Sequence, residues 1–309
     1  MPRERRIALA TGARYPELPA EERLVIPALA GLGVAAEPVV WDAGAAEWTA
    51  FDAVVIRSCW DYHLRVQAFL AWLDRLGRLG VPVLNPPRLI RWNADKRYLL
   101  ELAERDVAIV PTRVVARGAP DAHQALLRAL DELETDEAVV KPAISASAHG
   151  TWRTSRARAD ADAPTFGTLV AAGDVLVQPF VPSVADVGEW SVVCFGGAPS
   201  HTVLKRPAEG DWRVQGELGG TAERLSMPEA ALKQAEQVLA AAGATATPYA
   251  RVDGCVLDGR FVLMELELIE PQLYLALEPE APARFARSIV EALARGWRRS
   301  PPASTVPPA

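Results

Sequence analysis

The residues best suited to chemistry in this chain are three carboxylates, Asp253, Glu265 and Glu267, and three lysines, Lys96, Lys141 and Lys205. Glu265 and Glu267 stand two apart in the apolar run Arg260-Phe-Val-Leu-Met-Glu-Leu-Glu-Leu268, so a strand would put both on one face. Asp253 lies in the preceding apolar run, and the Asp258-Gly259 dipeptide between the runs signals a hairpin. Three anions gathered on one sheet face repel unless a cation neutralises them, and hard oxygen donors select magnesium or manganese. The same spacing also suits a solvent-facing polar stripe on an antiparallel ribbon.

Only four of the 33 basic residues are lysines, the fourth being Lys233. A lysine is a compact point charge and arginine a planar fork, so the two are not interchangeable at a crowded phosphate site. Val139-Val-Lys-Pro142 would end a strand on an ammonium, and the loop Ser145-Ala-Ser-Ala-His-Gly150 is small enough for backbone N–H groups to approach phosphates. A flexible surface loop has the same composition. Neither G-x-x-x-x-G-K-[ST] nor a G-x-G-x-x-G after a strand is present, so any phosphate site is built another way. The four histidines and three scattered cysteines offer no Ser/His/Asp set, zinc knuckle or disulfide framework.

The elements that must position these residues read as follows. Over the first ninety residues, strands at 7–10, 37–41, 53–56 and 81–84 alternate with helices at 20–32 and 66–79, the rhythm of a parallel α/β sheet. The turn Arg57-Ser-Cys-Trp-Asp-Tyr62 then falls at the carboxyl edge of that sheet, where ligands bind. Arg57, Trp60 and Asp61 there could form an amino-acid pocket or a plain helix-entry turn. Asn85-Pro-Pro87 is a hinge, and Asn93 is expected to cap a helix over 94–105 with Lys96 in its first turn. Strands at 112–115, 138–141, 174–180, 190–195 and 201–205 follow, with helices at 121–133, 228–242 and 282–295. Lys233 falls on a solvated helix face, and the Pro-rich segment 301–309 is expected to be disordered.

At 309 residues the chain suits more than one core. A net charge of -6 argues against a nucleic-acid partner, and no apolar run reaches the length of a membrane span, so a cytoplasmic enzyme of small molecules is expected.

Six segments now fall into an order. They are Asn93-Ala-Asp-Lys96; Val139-Val-Lys-Pro142 with its loop; Gln178-Pro-Phe-Val181; Lys205-Arg-Pro207 with Trp212-Arg213 and Gly219-Gly220; Arg251-Val-Asp253; and Glu265-Leu-Glu267. Together they resemble the ATP-grasp superfamily, on its glutathione-synthetase-like branch of carboxylate-amine ligases. The resemblance implies an N-terminal parallel α/β domain (1–88), a central α+β subdomain (89–182) with a flap at 144–151, and a C-terminal α+β subdomain (183–300) before the tail 301–309.

It further implies ATP and magnesium or manganese as cofactors. Lys96, Lys141, Ser147 and Gly150 would hold phosphates, Gln178, Phe180 and Val181 the adenine, and Glu189 the ribose. Asp253, Glu265 and Glu267 match the metal ligands, while Lys205, Arg213 and Arg251 match cations around the transferred phosphoryl group. Arg57, Trp60, Asp61, Gly219 and Gly220 are candidates for the substrate. Three departures stand out: Glu267 where asparagine is common, a flap with alanines and His149 in place of glycines, and Gln178-Pro179 where an acidic residue is frequent. The implied reaction activates a small carboxylate, an amino acid or derivative, as an acyl phosphate for attack by an amine, including cyclisation of one molecule on itself. A small-molecule kinase and a silent nucleotide-binding module share the pattern, and a homo-oligomer stays open.

Overall fold

The computed structural model describes residues 5–295; the Pro-rich segment 301–309 lies outside the described residues. The N-terminal strands β1 (Arg5–Thr11), β2 (Val34–Val40), β3 (Ala53–Ile56) and β4 (Val83–Leu84) form one parallel sheet in the order β2-β1-β3-β4. β2 starts three residues before its expected position because its whole length pairs with β1, from Arg5 opposite Val34 to Thr11 opposite Val40. The helix Val66–Arg78 buries Phe69, Trp72, Leu73 and Leu76, spaced three and four apart, against Trp41, Trp48 and Ile56.

The helix expected over 20–32 shortens to Val25–Ala30 after a single 3₁₀ turn, Glu22–Leu24. Tertiary contacts capture its predicted first turn. Glu21 accepts from the Leu275 backbone and Glu22 is buried against Arg57.

A second sheet is antiparallel: β5 (Arg113–Val115), β6 (Glu137–Pro142), β7 (Trp152–Ser155) and β8 (Val175–Pro179), in the order β5-β8-β6-β7. Helices Ala122–Glu132 and Ala159–Ala172 cover one of its faces. The third sheet holds β9 (Glu189–Phe195), β10 (Ala198–Arg206), β11 (Thr221–Arg224), β12 (Tyr249–Leu257) and β13 (Arg260–Glu267), in the order β11-β10-β9-β12-β13. Alternation along β9 sends Trp190, Val192 and Cys194 toward the helix Glu229–Ala241. Val193 and Phe195 go instead to a core shared with helix Ala281–Ala294 and with Ile7 and Leu9 of the first sheet. A parallel sheet followed by two α+β units is the expected fold class.

One local expectation fails. Asn93 does not cap a helix over 94–105; it is the last residue of the helix Pro87–Asn93, and the next helix is Tyr98–Ala103. Its side chain is spent across the chain, donating to the Leu266 carbonyl at 2.7 Å and accepting from the Leu268 amide at 2.8 Å. Lys96 therefore sits in the turn between two short helices, its amide bonded to the Ala143 carbonyl at the start of the 144–151 loop.

Candidate active site

The second and third sheets enclose a cavity of about 480 Å³, with Tyr15, Pro19, Trp60 and Tyr62 of the N-terminal unit on its wall. Its lining brings together most of the residues singled out in sequence. Lys96, Lys141, Ser147, Gln178, Phe180, Val181, Glu189, Lys205, Arg213, Arg251, Asp253, Glu265, Glu267 and Trp60 all reach it.

The β12–β13 hairpin forms the charged floor. Asp253 pairs opposite Glu265 and Arg251 opposite Glu267, and the register shifts just after Asp253, so the three carboxylates arise from one short stretch of sheet. Each is matched to a cation. Lys96 Nζ lies 3.0 Å from Glu265 and also donates to the Ser145 carbonyl at 2.5 Å, tying the 144–151 loop to the floor. Arg251 Nη2 is 2.8 Å from Asp253 and bonds Glu267 as well, and Lys205 is shared between Glu189 and Asp253. Among the described residues no three such side chains converge so as to hold a metal ion.

The electrostatics of these groups differ with their partners. Burial alone would raise the Asp253 carboxyl, but Arg251 and Lys205 outweigh it and hold the group well below the usual range. Burial opposes ionisation of Glu265 too, and Lys96 and Lys141 overcome it. At Glu267 burial wins over Arg251, and with Asp253 and Glu265 adding repulsion its carboxyl is pushed up to about 7. Lys141 alone among these cations has no carboxylate within ion-pair distance among the described residues. Burial pulls its ammonium below the ordinary lysine range, with Glu265 as the partial counterweight.

Around the Phe180 ring, Arg153 stacks at 3.7 Å and Trp212 meets it edge-on at 6.2 Å. The Phe180 amide, expected to face a nucleobase, donates to the Glu137 carbonyl at 3.0 Å instead, and the Gln178 side chain donates to Thr112 Oγ1 at 2.8 Å. The 207–220 loop carries Arg213 to the cavity, paired with Asp211 at 2.8 Å.

Five expected residues do not reach the cavity wall. Arg57 is fully buried, its guanidinium bonded to Glu22 at 2.6 and 2.7 Å and to the Pro271 carbonyl at 2.6 Å; it is a rivet between segments. Asp61 accepts from Trp41 Nε1 and pairs with Arg65, being drawn to the outer side of the turn. Gly150 turns the loop with φ +68° against Pro142, where a Cβ would approach Pro142 Cγ to 3.0 Å. Gly219 and Gly220 shape the 207–220 loop; a Cβ on Gly220 would lie 2.3 Å from the Val214 carbonyl oxygen. Glu270, Gln272 and Tyr274 are cavity residues that the sequence reading missed. The signal for them is faint: polar residues at alternate positions after Glu267, but one step out of phase with Glu265 and Glu267.

Comparison with known proteins gives a consistent picture. Residues 7–85 match the family profile described as D-cycloserine synthetase DcsG, N-terminal domain. Across 93% of the chain, and 98% of the relative, the sequence is 30% identical to the cycloserine biosynthesis protein DcsG of Streptomyces lavendulae. The crystal structure of D-cycloserine synthetase DcsG superposes with a TM-score of 0.84 at 32% identity, over 93% of this chain and 99% of that one. D-alanine–D-alanine ligase from Bacillus anthracis, solved with ATP, gives 0.67 at 17% identity over 94% and 98%, a likeness of fold.

Proposed function

The chain belongs to the D-cycloserine synthetase family of ATP-grasp ligases, and from that premise we propose that it uses ATP to activate the carboxylate of a small amino acid or derivative as an acyl phosphate, which an amine then attacks to form a C–N bond. Cyclisation, in which the amine belongs to the same molecule, is the form of the reaction that the likeness to D-cycloserine synthetase supports. The observation that carries the reading is the juxtaposition of Lys141, free of any carboxylate contact among the described residues, with the lysine- and arginine-matched carboxylates of β12 and β13.

In this reading Lys96 and Lys141 receive the phosphates under the 144–151 loop, and the base lies against Phe180 and Val181. Lys205 engages Oε1 of Glu189, leaving Oε2 for the ribose hydroxyls. Lys205, Arg213 and Arg251 balance charge on the transferred phosphoryl group and orient the substrate carboxylate. Such stabilisation is the main catalytic contribution in phosphoryl transfer and needs no enzyme nucleophile.

The donor set fits a divalent cation by charge. Six carboxylates, Glu189, Glu217, Asp253, Glu265, Glu267 and Glu270, line the cavity against five cations, Lys96, Lys141, Lys205, Arg213 and Arg251. A triphosphate entering that balance must bring its own positive charge. Asp253, Glu265 and Glu267 would offer the oxygen donors for magnesium, which when bound would supply Lewis-acid neutralisation of the phosphate oxygens.

The test is ADP and phosphate release by purified protein with magnesium and a panel of D- and L-amino acids. No release above background with any small carboxylate would overturn the reading. A stable phosphorylated product without free phosphate would replace it with a kinase.

A further inference from the structure

Four consecutive carbonyls beyond β13 accept side-chain hydrogen bonds from three separate parts of the molecule, the 57–62 turn, β12 and β10. Trp60 Nε1 donates to Glu270 O at 2.9 Å, Arg57 Nη2 to Pro271 O at 2.6 Å, Arg251 Nη1 to Gln272 O at 2.9 Å, and His201 Nε2 to Leu273 O at 3.1 Å. Glu21 adds two more ties, to the Gln272 side chain at 3.0 Å and the Leu275 amide at 2.7 Å. Tyr274 is held in the left-handed region at φ +49°, a conformation that persists for a bulky residue only where its surroundings impose it. The segment is a rigid rail, and its alternate side chains, Glu270, Gln272 and Tyr274, line the cavity while Leu273 enters the core.

Glu270 is the anomaly on this rail. It is only 7% exposed, and no cation among the described residues pairs with it. The nearby cations are otherwise engaged: Arg57 with Glu22, Lys96 with Glu265, and Arg251 with Asp253 and Glu267. Burial and the neighbouring Glu267 push its carboxyl up to about 8. A buried carboxyl of this kind is a strained holding unless a ligand brings positive charge to it. The wall beside it is aromatic: Trp60 is anchored by its indole N–H to Glu270's own carbonyl, and Tyr15 meets Trp60 edge-on at 5.2 Å. A buried carboxyl that an arriving cation would ionise, set beside aromatic rings, is a site for an ammonium group, which the carboxylate and the rings both attract.

We propose that Glu270 is the specificity-determining residue that receives the ammonium group of the amino acid substrate, whose carboxylate then points toward Arg251 on the facing side of the same rail. The proposal rests on the ligase reading given above and narrows its substrate to one that carries a free amino group. Arg57 acts through the Pro271 carbonyl as a positioning residue for this wall.

The experiment uses the full chain with magnesium and ATP. D- and L-amino acids are screened for ADP release beside their des-amino counterparts, such as serine beside 3-hydroxypropionate. Silence with every carboxylate would refute the ligase reading itself. Release with des-amino acids as readily as with amino acids would refute the Glu270 assignment alone.

For the best amino acid, Glu270→Gln is expected to raise its KM about 10- to 100-fold, the loss typical of a charge-assisted hydrogen bond, while the KM for ATP moves less than about twofold. Discrimination against the des-amino compound should collapse in that variant. Glu270→Asp keeps the charge and should give a smaller rise with the same split; it also decides the matter if the Gln variant does not fold. An unchanged amino acid KM in the folded variants, or equal rises for ATP and amino acid, would overturn the proposal.

Discussion

Two buried arginine–carboxylate clusters sit close together in this molecule and behave differently. Arg57 meets one carboxylate, Glu22, with two nitrogens, stacks on Tyr249 and Phe285, and lies off the cavity. Burial would lower the Arg57 guanidinium, but Glu22 outweighs it and raises it. Arg251 also rests near an aromatic ring, Tyr274, yet it is shared between Asp253 and Glu267 and faces the cavity. The first cluster is saturated and one-to-one. The second carries more anions than its cations satisfy, and that surplus, at a cavity wall, marks a site that awaits charge from a ligand. Burial of an arginine pair says nothing by itself; its stoichiometry and its access to the cavity do.

The comparison can be broken most directly at Lys141. Its ammonium contacts no carboxylate among the described residues, so Lys141→Ala should reduce ADP release on the order of a thousandfold while leaving thermal stability close to that of the parent. A large loss of Tm would show the lysine to be structural. At the other cluster, Glu22→Gln strands a buried guanidinium and should cost about 3 to 5 kcal/mol, read as a clear fall in Tm or denaturation midpoint. A neutral outcome there would mean that Arg57 is as adaptable as Arg251.

Lys141→Arg keeps the charge but changes its shape, and should cut activity roughly tenfold, whereas Lys233→Arg, on the exposed helix face beside Glu229, should change nothing measurable. Equal activity of the two variants would reduce the rarity of lysine to a bias of composition.

The smallest effect is a pH slope. Because the folded Glu270 carboxyl is raised to about 8 from an ordinary 4.5, it favours folding fully below pH 4.5, and that contribution is lost as pH rises toward 8. Tm of the ligand-free protein should therefore fall less between pH 5 and 8 in Glu270→Gln than in the parent. Parallel curves would show that Glu270 titrates normally.

Legibility in the sequence followed the range of the interaction. The parallel first unit, the β12–β13 hairpin and the cavity-facing Glu265 and Glu267 were readable because period-two alternation, a turn dipeptide and short apolar runs act between near neighbours. Lys96 was found, but its setting was not: the capping role assigned to Asn93 lost to its bonds with Leu266 and Leu268, more than 170 residues away. Arg57 and Asp61 were read as charged residues in the turn after the third strand, but neither reaches the cavity wall, because which side of the turn they face depends on Glu22, Trp41 and Arg65.

What the sequence determined by itself, then, was the fold class and the chemical inventory of the site, since propensity, pattern and residue type are local properties. Tertiary structure alone decided which charges were already spent. Glu270 became a carboxyl without a cation partner among the described residues, on a cavity wall, only because the Pro271 carbonyl is gripped by Arg57 from 214 residues away, and Trp60 grips Glu270 from 210. Such contacts exist only after the chain has closed on itself, and no local pattern encodes their partners.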